Sequence, residues 1–83
     1  MRLRLRYVAA LRDAMGRSEE DAEFHRPISD GHALIAAMAE REPEVDWFTS
    51  PALRLIVNNA IVTREQAIND GDTVAFCPPF SGG

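Results

Sequence analysis

Residues 2–7 read Arg-Leu-Arg-Leu-Arg-Tyr, and this strict alternation limits the possible folds more than any other feature. A period of two puts Leu3, Leu5 and Tyr7 on one side of an extended strand and Arg2, Arg4 and Arg6 on the other. Such a strand is half-buried, so its sheet needs one wet face and one face covered by apolar groups. The cover lies downstream. Leu34, Ala37, Met38 and Arg41 recur at helical spacing, with Ile35 flanking the stripe. Ser29 or Asp30 can accept hydrogen bonds from the first free N–H groups, and Ile28 stands where a hydrophobic staple belongs. Pro43 stops the helix.

The other elements follow from local signals. Ala9–Met15 reads as a short helix closed by Gly16. Arg17–Asp21 is polar and turn-like. Ala22–Arg26 is expected as a second strand, antiparallel to the first, with Phe24 inward and Pro27 at its end. Glu44–Pro51, which carries Trp47 and Phe48, is expected to be irregular. Leu53–Val57 is a dense apolar strand, Asn58-Asn59 a turn, and Ala60–Val62 the returning strand. A second turn at Asn69–Asp72 leads into a last strand, Thr73–Phe76. There Val74 and Phe76 share one face, and Ala75 and Cys77 the other. Pro78 and Pro79 end it, because two residues without N–H donors cannot continue a ladder. The order is strand, strand, main helix, three strands. This predicts an α+β fold with a mixed sheet of about five strands on one main helix, the β-grasp or ubiquitin-like layout. No repeat, low-complexity stretch or linker interrupts it. A single domain over residues 1–83 is expected, with 78–83 as a flexible tail.

Composition excludes several roles. A chain of 83 residues cannot enclose a large internal active site. A net charge of −4 argues against a nucleic-acid partner. No stretch reaches the roughly 18 apolar residues of a membrane span. The start, Met1 to Arg6, lacks the apolar core of a signal peptide, so a cytoplasmic location is expected. One cysteine, Cys77, permits neither an internal disulfide framework nor a multi-cysteine zinc site. His25 and His32 form no metal-ligand spacing with acidic residues and read as surface or capping histidines. Cys77 has no basic cluster near it in sequence and reads as a small semi-buried residue at a strand end rather than a sulfur relay. No glycine-rich phosphate loop or acid–base carboxylate pair is present. No cofactor or metal is expected on this chain.

The last four residues read Phe80-Ser81-Gly82-Gly83. On the dipeptide alone a frayed tail is the simpler reading. Context favours another. Pro78-Pro79 stiffens the exit from the last strand. Phe80 is a large apolar group where a partner's anchor would sit. Glycines lack Cβ and can thread a narrow channel, carrying the Gly83 carboxylate to a distant active site. An α-carboxyl with a pKa near 3.5 is ionised at neutral pH and is a poor electrophile. Acyl transfer from it needs prior activation, for which adenylation with ATP by another protein is the usual solution.

Three runs carry a resemblance: Leu55-Ile56-Val57-Asn58-Asn59-Ala60, Ile68-Asn69-Asp70-Gly71-Asp72-Thr73-Val74-Ala75-Phe76, and Pro78-Pro79-Phe80-Ser81-Gly82-Gly83. Together they resemble the small subunit of molybdopterin synthase, the MoaD-type sulfur carriers, which are related to the thiamine-pathway carriers. Tyr7-Val8-Ala9-Ala10-Leu11-Arg12 followed by Gly16 fits as well. The likeness covers most of the chain and is weakest from Glu40 to Leu53. It implies a sulfur carrier that is not an enzyme on its own. The Gly83 carboxylate would be adenylated by a partner of the MoeB type, which binds the ATP, and then converted to a thiocarboxylate. Ser81 and Gly82 would thread into the large subunit of molybdopterin synthase, within a heterotetramer of paired small and large subunits. Sulfur would pass there to cyclic pyranopterin monophosphate, building the dithiolene of the molybdenum cofactor. The resemblance assigns partner binding to Val8, Ile61, Cys77, Pro78, Pro79 and Phe80. The family often has phenylalanine at the Cys77 position, so the smaller residue removes contact area. Three other readings stay open: a carrier for thiazole, cysteine or transfer-RNA thiolation, a ubiquitin-like modifier of target amines, and a binding module with an inert tail.

All nine basic residues are arginine. Codon usage accounts for that. So does chemistry, because a surface without ε-amines gives an activated C-terminus nothing of its own kind to acylate. If chemistry is the reason, installing surface lysines yields self-conjugates detectable by intact mass once the C-terminus is activated. If none form, codon usage suffices.

Overall fold

The computed structural model describes residues 1–79. Their order is β1 (Arg2–Tyr7), α1 (Ala9–Met15), β2 (Glu19–Glu23), α2 (Gly31–Arg41), a 3-10 turn (Asp46–Thr49), β3 (Arg54–Val57), β4 (Ala60–Val62) and β5 (Thr73–Cys77). The strands form one five-stranded sheet in the order β2-β1-β5-β3-β4. The central pair, β1 and β5, runs parallel, and the other pairs run antiparallel. This is the β-grasp fold expected from the sequence.

The alternation in β1 is fully expressed: Leu3, Leu5 and Tyr7 are buried and Arg2, Arg4 and Arg6 exposed. Val74 and Phe76 of β5 and Leu55 and Val57 of β3 join the same core, as do Leu34, Ile35, Ala37 and Met38 of α2. Phe76 lies at its centre. Its ring stacks on Tyr7 at 6.0 Å and meets Phe48 edge-on at 5.3 Å. Phe48 comes from the 3-10 turn, so part of the segment expected to be irregular is ordered and supplies a core aromatic.

The start of α2 is fixed twice. The Asp30 carboxylate accepts a hydrogen bond from the Ala33 N–H at 2.9 Å. The Gly31 and His32 N–H groups donate to the carbonyls of Gln66 and Arg64. This close approach requires glycine. A Cβ on Gly31 would come within 2.6 Å of a Leu55 methyl and 2.8 Å of the Arg64 carbonyl oxygen. The Arg64 guanidinium donates to the carbonyls of Ser50 and Leu53, tying the segment before β3 to the same corner. At the β3–β4 turn Asn58 and Asn59 adopt φ values of 49° and 72°, the left-handed region asparagine tolerates best among residues with a Cβ.

One sequence expectation is corrected. The second strand is Glu19–Glu23, not Ala22–Arg26. Acidic residues are poor strand formers, but here they face a row of arginines. The register sets Glu19 against Arg6, Asp21 against Arg4 and Glu23 against Arg2. Arg4 pairs with both Asp21, at 2.9 Å, and Glu19. These charges also line the sheet edge, where they discourage pairing with another chain. Phe24 is buried as expected, although it lies past the strand end.

Behind β2, Glu20 joins four parts of the chain. Its carboxylate accepts from the Tyr7 hydroxyl at 2.6 Å, from Arg17 at 2.7 Å and from Arg41 at 3.1 Å. Burial alone would push the Glu20 carboxyl up, but the Tyr7 and Arg17 hydrogen bonds and the charges of Arg17 and Arg41 outweigh it and hold it below the ordinary range. Burial, and then the bond to Glu20, push the Tyr7 phenol up.

Phe76→Ala should cost about 3–5 kcal/mol of stability, measured by denaturant unfolding, because it removes the ring on which both other aromatics pack. A near-neutral result would mean that β5 is out of register by one residue.

Candidate functional site: the outer sheet face and its exit to the tail

The face of the sheet opposite α2 is divided by chemistry. One row across the strands runs Glu19, Arg6, Ala75, Ile56, Ile61, read from the pairings of β2, β1, β5, β3 and β4. The β2 and β1 end is an ion-pair ladder of Arg2, Arg4 and Arg6 against Glu23, Asp21 and Glu19. The β5, β3 and β4 end is apolar. Ile61, 73% exposed, and Val8, 37% exposed, are the large hydrophobic side chains that stand out from the body among the described residues.

Two recesses mark this apolar half. One, of about 350 Å³, is lined by Arg54, Ile56, Ile61, Cys77, Pro78 and Pro79. A shallower one of about 170 Å³ shares Ile56 and Cys77 with it and extends to Val8 and Ala75. The structure thus brings Ile61, Cys77, Pro78 and Pro79 into one cavity and sets Val8 beside it. Phe80, Ser81, Gly82 and Gly83 lie outside the described residues. Of the expected tail, residues 78–83, only Pro78, which is buried, and Pro79, which is half-buried, fall among the described residues.

The sequence reading set Ala75 on the face of Cys77 but assigned no partner role to Ile56, Ala75 or Arg54. The signal for Ile56 was present: once Leu55 and Val57 point inward, the residue between them must point outward. Arg54 could be placed only by register, which sets it directly opposite Cys77. A larger, open depression of about 520 Å³ between α1 and the end of α2 is lined by Ala14, Arg41, Glu42, Pro43, Glu44 and Val45. Nothing there suggests chemistry. His32 is exposed and sits 3.7 Å from Glu65. Among the described residues no three His, Cys, Asp or Glu side chains converge, and no helix is long and apolar enough to cross a membrane.

A model of the ThiS family matches residues 5–83 of this sequence. The chain belongs to that family, the ubiquitin-like sulfur carriers. A relative from Archaeoglobus fulgidus, described only as an uncharacterized protein, is 30% identical over 77% of this chain and 80% of its own length. Among solved structures, SAMP1 from Haloferax volcanii superposes with a TM-score of 0.79 at 17% identity, covering 100% of both chains. The putative molybdopterin converting factor subunit 1 from Pyrococcus furiosus gives 0.75 at 22% identity, covering 95% of this chain and 98% of its own. Small archaeal modifier protein 1 from Methanosarcina acetivorans gives 0.75 at 17%, covering 99% and 96%. At these identities the structural likenesses establish the shared fold.

Within this ThiS-family body, Cys77 is a half-buried free cysteine at the end of β5. Burial pushes its pKa up, and Arg54 stands opposite on β3. Alkylation of Cys77 by iodoacetamide should therefore be slow near neutral pH and rise with a midpoint above that of free cysteine. A midpoint at or below the free-cysteine value would show a stabilised thiolate and restore the relay reading.

Proposed function

We propose that this chain is the sulfur-carrier subunit of a molybdopterin synthase, with the Gly83 carboxylate as its reacting group. The observation that carries this reading is the ThiS family match running through Gly82-Gly83. Two further points support it. β5 leads straight into Pro78-Pro79 beside an apolar face suited to a protein partner. The Pyrococcus protein that shares the fold is described as a molybdopterin converting factor subunit.

The chemistry proceeds in balanced steps. On the partner enzyme, of the MoeB type, a Gly83 carboxylate oxygen attacks the α-phosphorus of ATP and pyrophosphate leaves. A sulfur nucleophile then displaces AMP from the acyl-adenylate, giving the thiocarboxylate. In the large subunit the thiocarboxylate sulfur attacks an oxygen-bearing carbon of the cyclic pyranopterin, and a carbon–sulfur bond forms as the carbon–oxygen bond breaks and the oxygen leaves with a proton. Water then cleaves the acyl–sulfur bond, leaving sulfur on the pterin and restoring the Gly83 carboxylate. The ubiquitin-like body supplies a rigid handle and a docking face, while Ser81 and Gly82 fit a channel too narrow for larger side chains. The residues that act on the pterin belong to the large subunit.

A second reading is favoured by the two SAMP1 likenesses, since those proteins are described as modifiers. In that case the activated Gly83 acyl group passes to an amine of a target protein. Intact-mass analysis of protein isolated from its native host separates the two readings. Sulfur in place of one terminal oxygen supports the carrier. A Gly83–lysine isopeptide in target digests, without restoration of molybdoenzyme activity in a deficient cell, supports the modifier. Gly82→Val should abolish sulfur transfer while leaving the melting temperature unchanged. A Gly82→Val chain that sustains cofactor synthesis at the normal rate would overturn the threading step.

A further inference from the structure

The 350 Å³ recess on the outer face has an apolar lining from Ile56, Ile61, Cys77, Pro78 and Pro79, and a single charge, Arg54, at its rim. Arg54 differs from the other arginines. Arg2, Arg4, Arg6, Arg12, Arg17, Arg26 and Arg41 each lie within ion-pair distance of a carboxylate. Arg64 donates to two carbonyls. Among the described residues, Arg54 alone has neither an ion pair nor a side-chain hydrogen bond.

The acidic residues of this sheet face lie on β2, at the opposite edge, where the β1 arginines already neutralise them. Among the described residues the recess therefore combines an uncovered apolar floor with an unneutralised cation, in a chain whose net charge is −4. Cys77 is what opens the floor, since a large side chain at that position would fill it. Pro78 and Pro79, the last described residues, line the recess.

We propose that the recess is a socket for an apolar side chain of a partner protein, and that a carboxylate flanking that side chain pairs with Arg54. The occupant is set by complementarity: the knob satisfies the apolar floor, and the acid satisfies the one cation without a partner of its own. The polarity of the contact is thereby reversed from one in which this chain supplies the knob at position 77. The inference rests on the carrier reading for the identity of the partners, which are the large subunit and the adenylating enzyme.

The test is calorimetric titration of both partners, from the same organism, with the full chain and four variants. Arg54→Glu and Cys77→Phe should each weaken binding of at least one partner by roughly tenfold. Arg54→Gln should weaken it less and flatten its dependence on salt. Arg12→Glu, remote on α1, should bind as the parent does. Positions 54 and 77 both point away from the core, and unchanged melting curves confirm that the variants fold. Arg54→Glu binding as tightly as the parent overturns the ion pair. Cys77→Phe binding as tightly or more tightly overturns the socket. In either case the parent still binds, so the carrier reading survives. Binding of neither partner by the parent chain overturns both. Faster alkylation of Cys77 in Phe80→Ala would place the chain's own Phe80 in the recess. A concentration-dependent dimer abolished by Cys77→Phe would place a second copy there. Either result overturns the proposal.

Discussion

Phe76 held between Tyr7 and Phe48 is the contact on which the rest of the structure depends. It fixes β5 between β1 and β3, and so sets the register of the three central strands. Side chains alternate along a strand, so a slip of one residue would exchange the two faces. With Phe76 inward, Ala75 and Cys77 must face outward, next to Ile56 and Arg54. The character of the outer face is thus a consequence of how the core closes. The buried aromatic cluster and the exposed recess are two sides of the same strands.

The same register divides the charges. A net charge of −4 would suggest an acidic surface throughout, yet the acidic residues of β2 are spent on the arginines of β1. The exposed pairs in this ladder add little stability individually. Their larger consequence is geometric. They occupy one edge of the sheet, leave the other edge apolar, and leave Arg54 without a carboxylate among the described residues. The outer face thus carries a charged half and an apolar half side by side.

Much of the fold was legible in the sequence because its signals are local. The alternation from Arg2 to Tyr7, the stripe on α2, the Asn58-Asn59 turn and the Gly16 cap each act within a few residues, and each appears where its period or turn chemistry puts it. The second strand was not legible. Glu19 to Asp21 has the composition of a turn, and only the β1 arginines, distant in sequence, make it a strand. The recess was half legible. Ile61, Cys77 and the prolines could be named from the resemblance, but the places of Ile56 and Arg54 depend on pairing between strands.

Periodicity and end-signals along the chain determined most of the helices and strands and which face of each is apolar. Those are properties of neighbours in sequence, where 3.6- and 2-residue repeats operate. Tertiary structure alone decided that an acidic stretch becomes an edge strand, that Phe48 reaches back to Phe76, and that Arg54 stands opposite Cys77. Each of these joins residues far apart in the chain, and the energy that selects them exists only once the sheet has assembled.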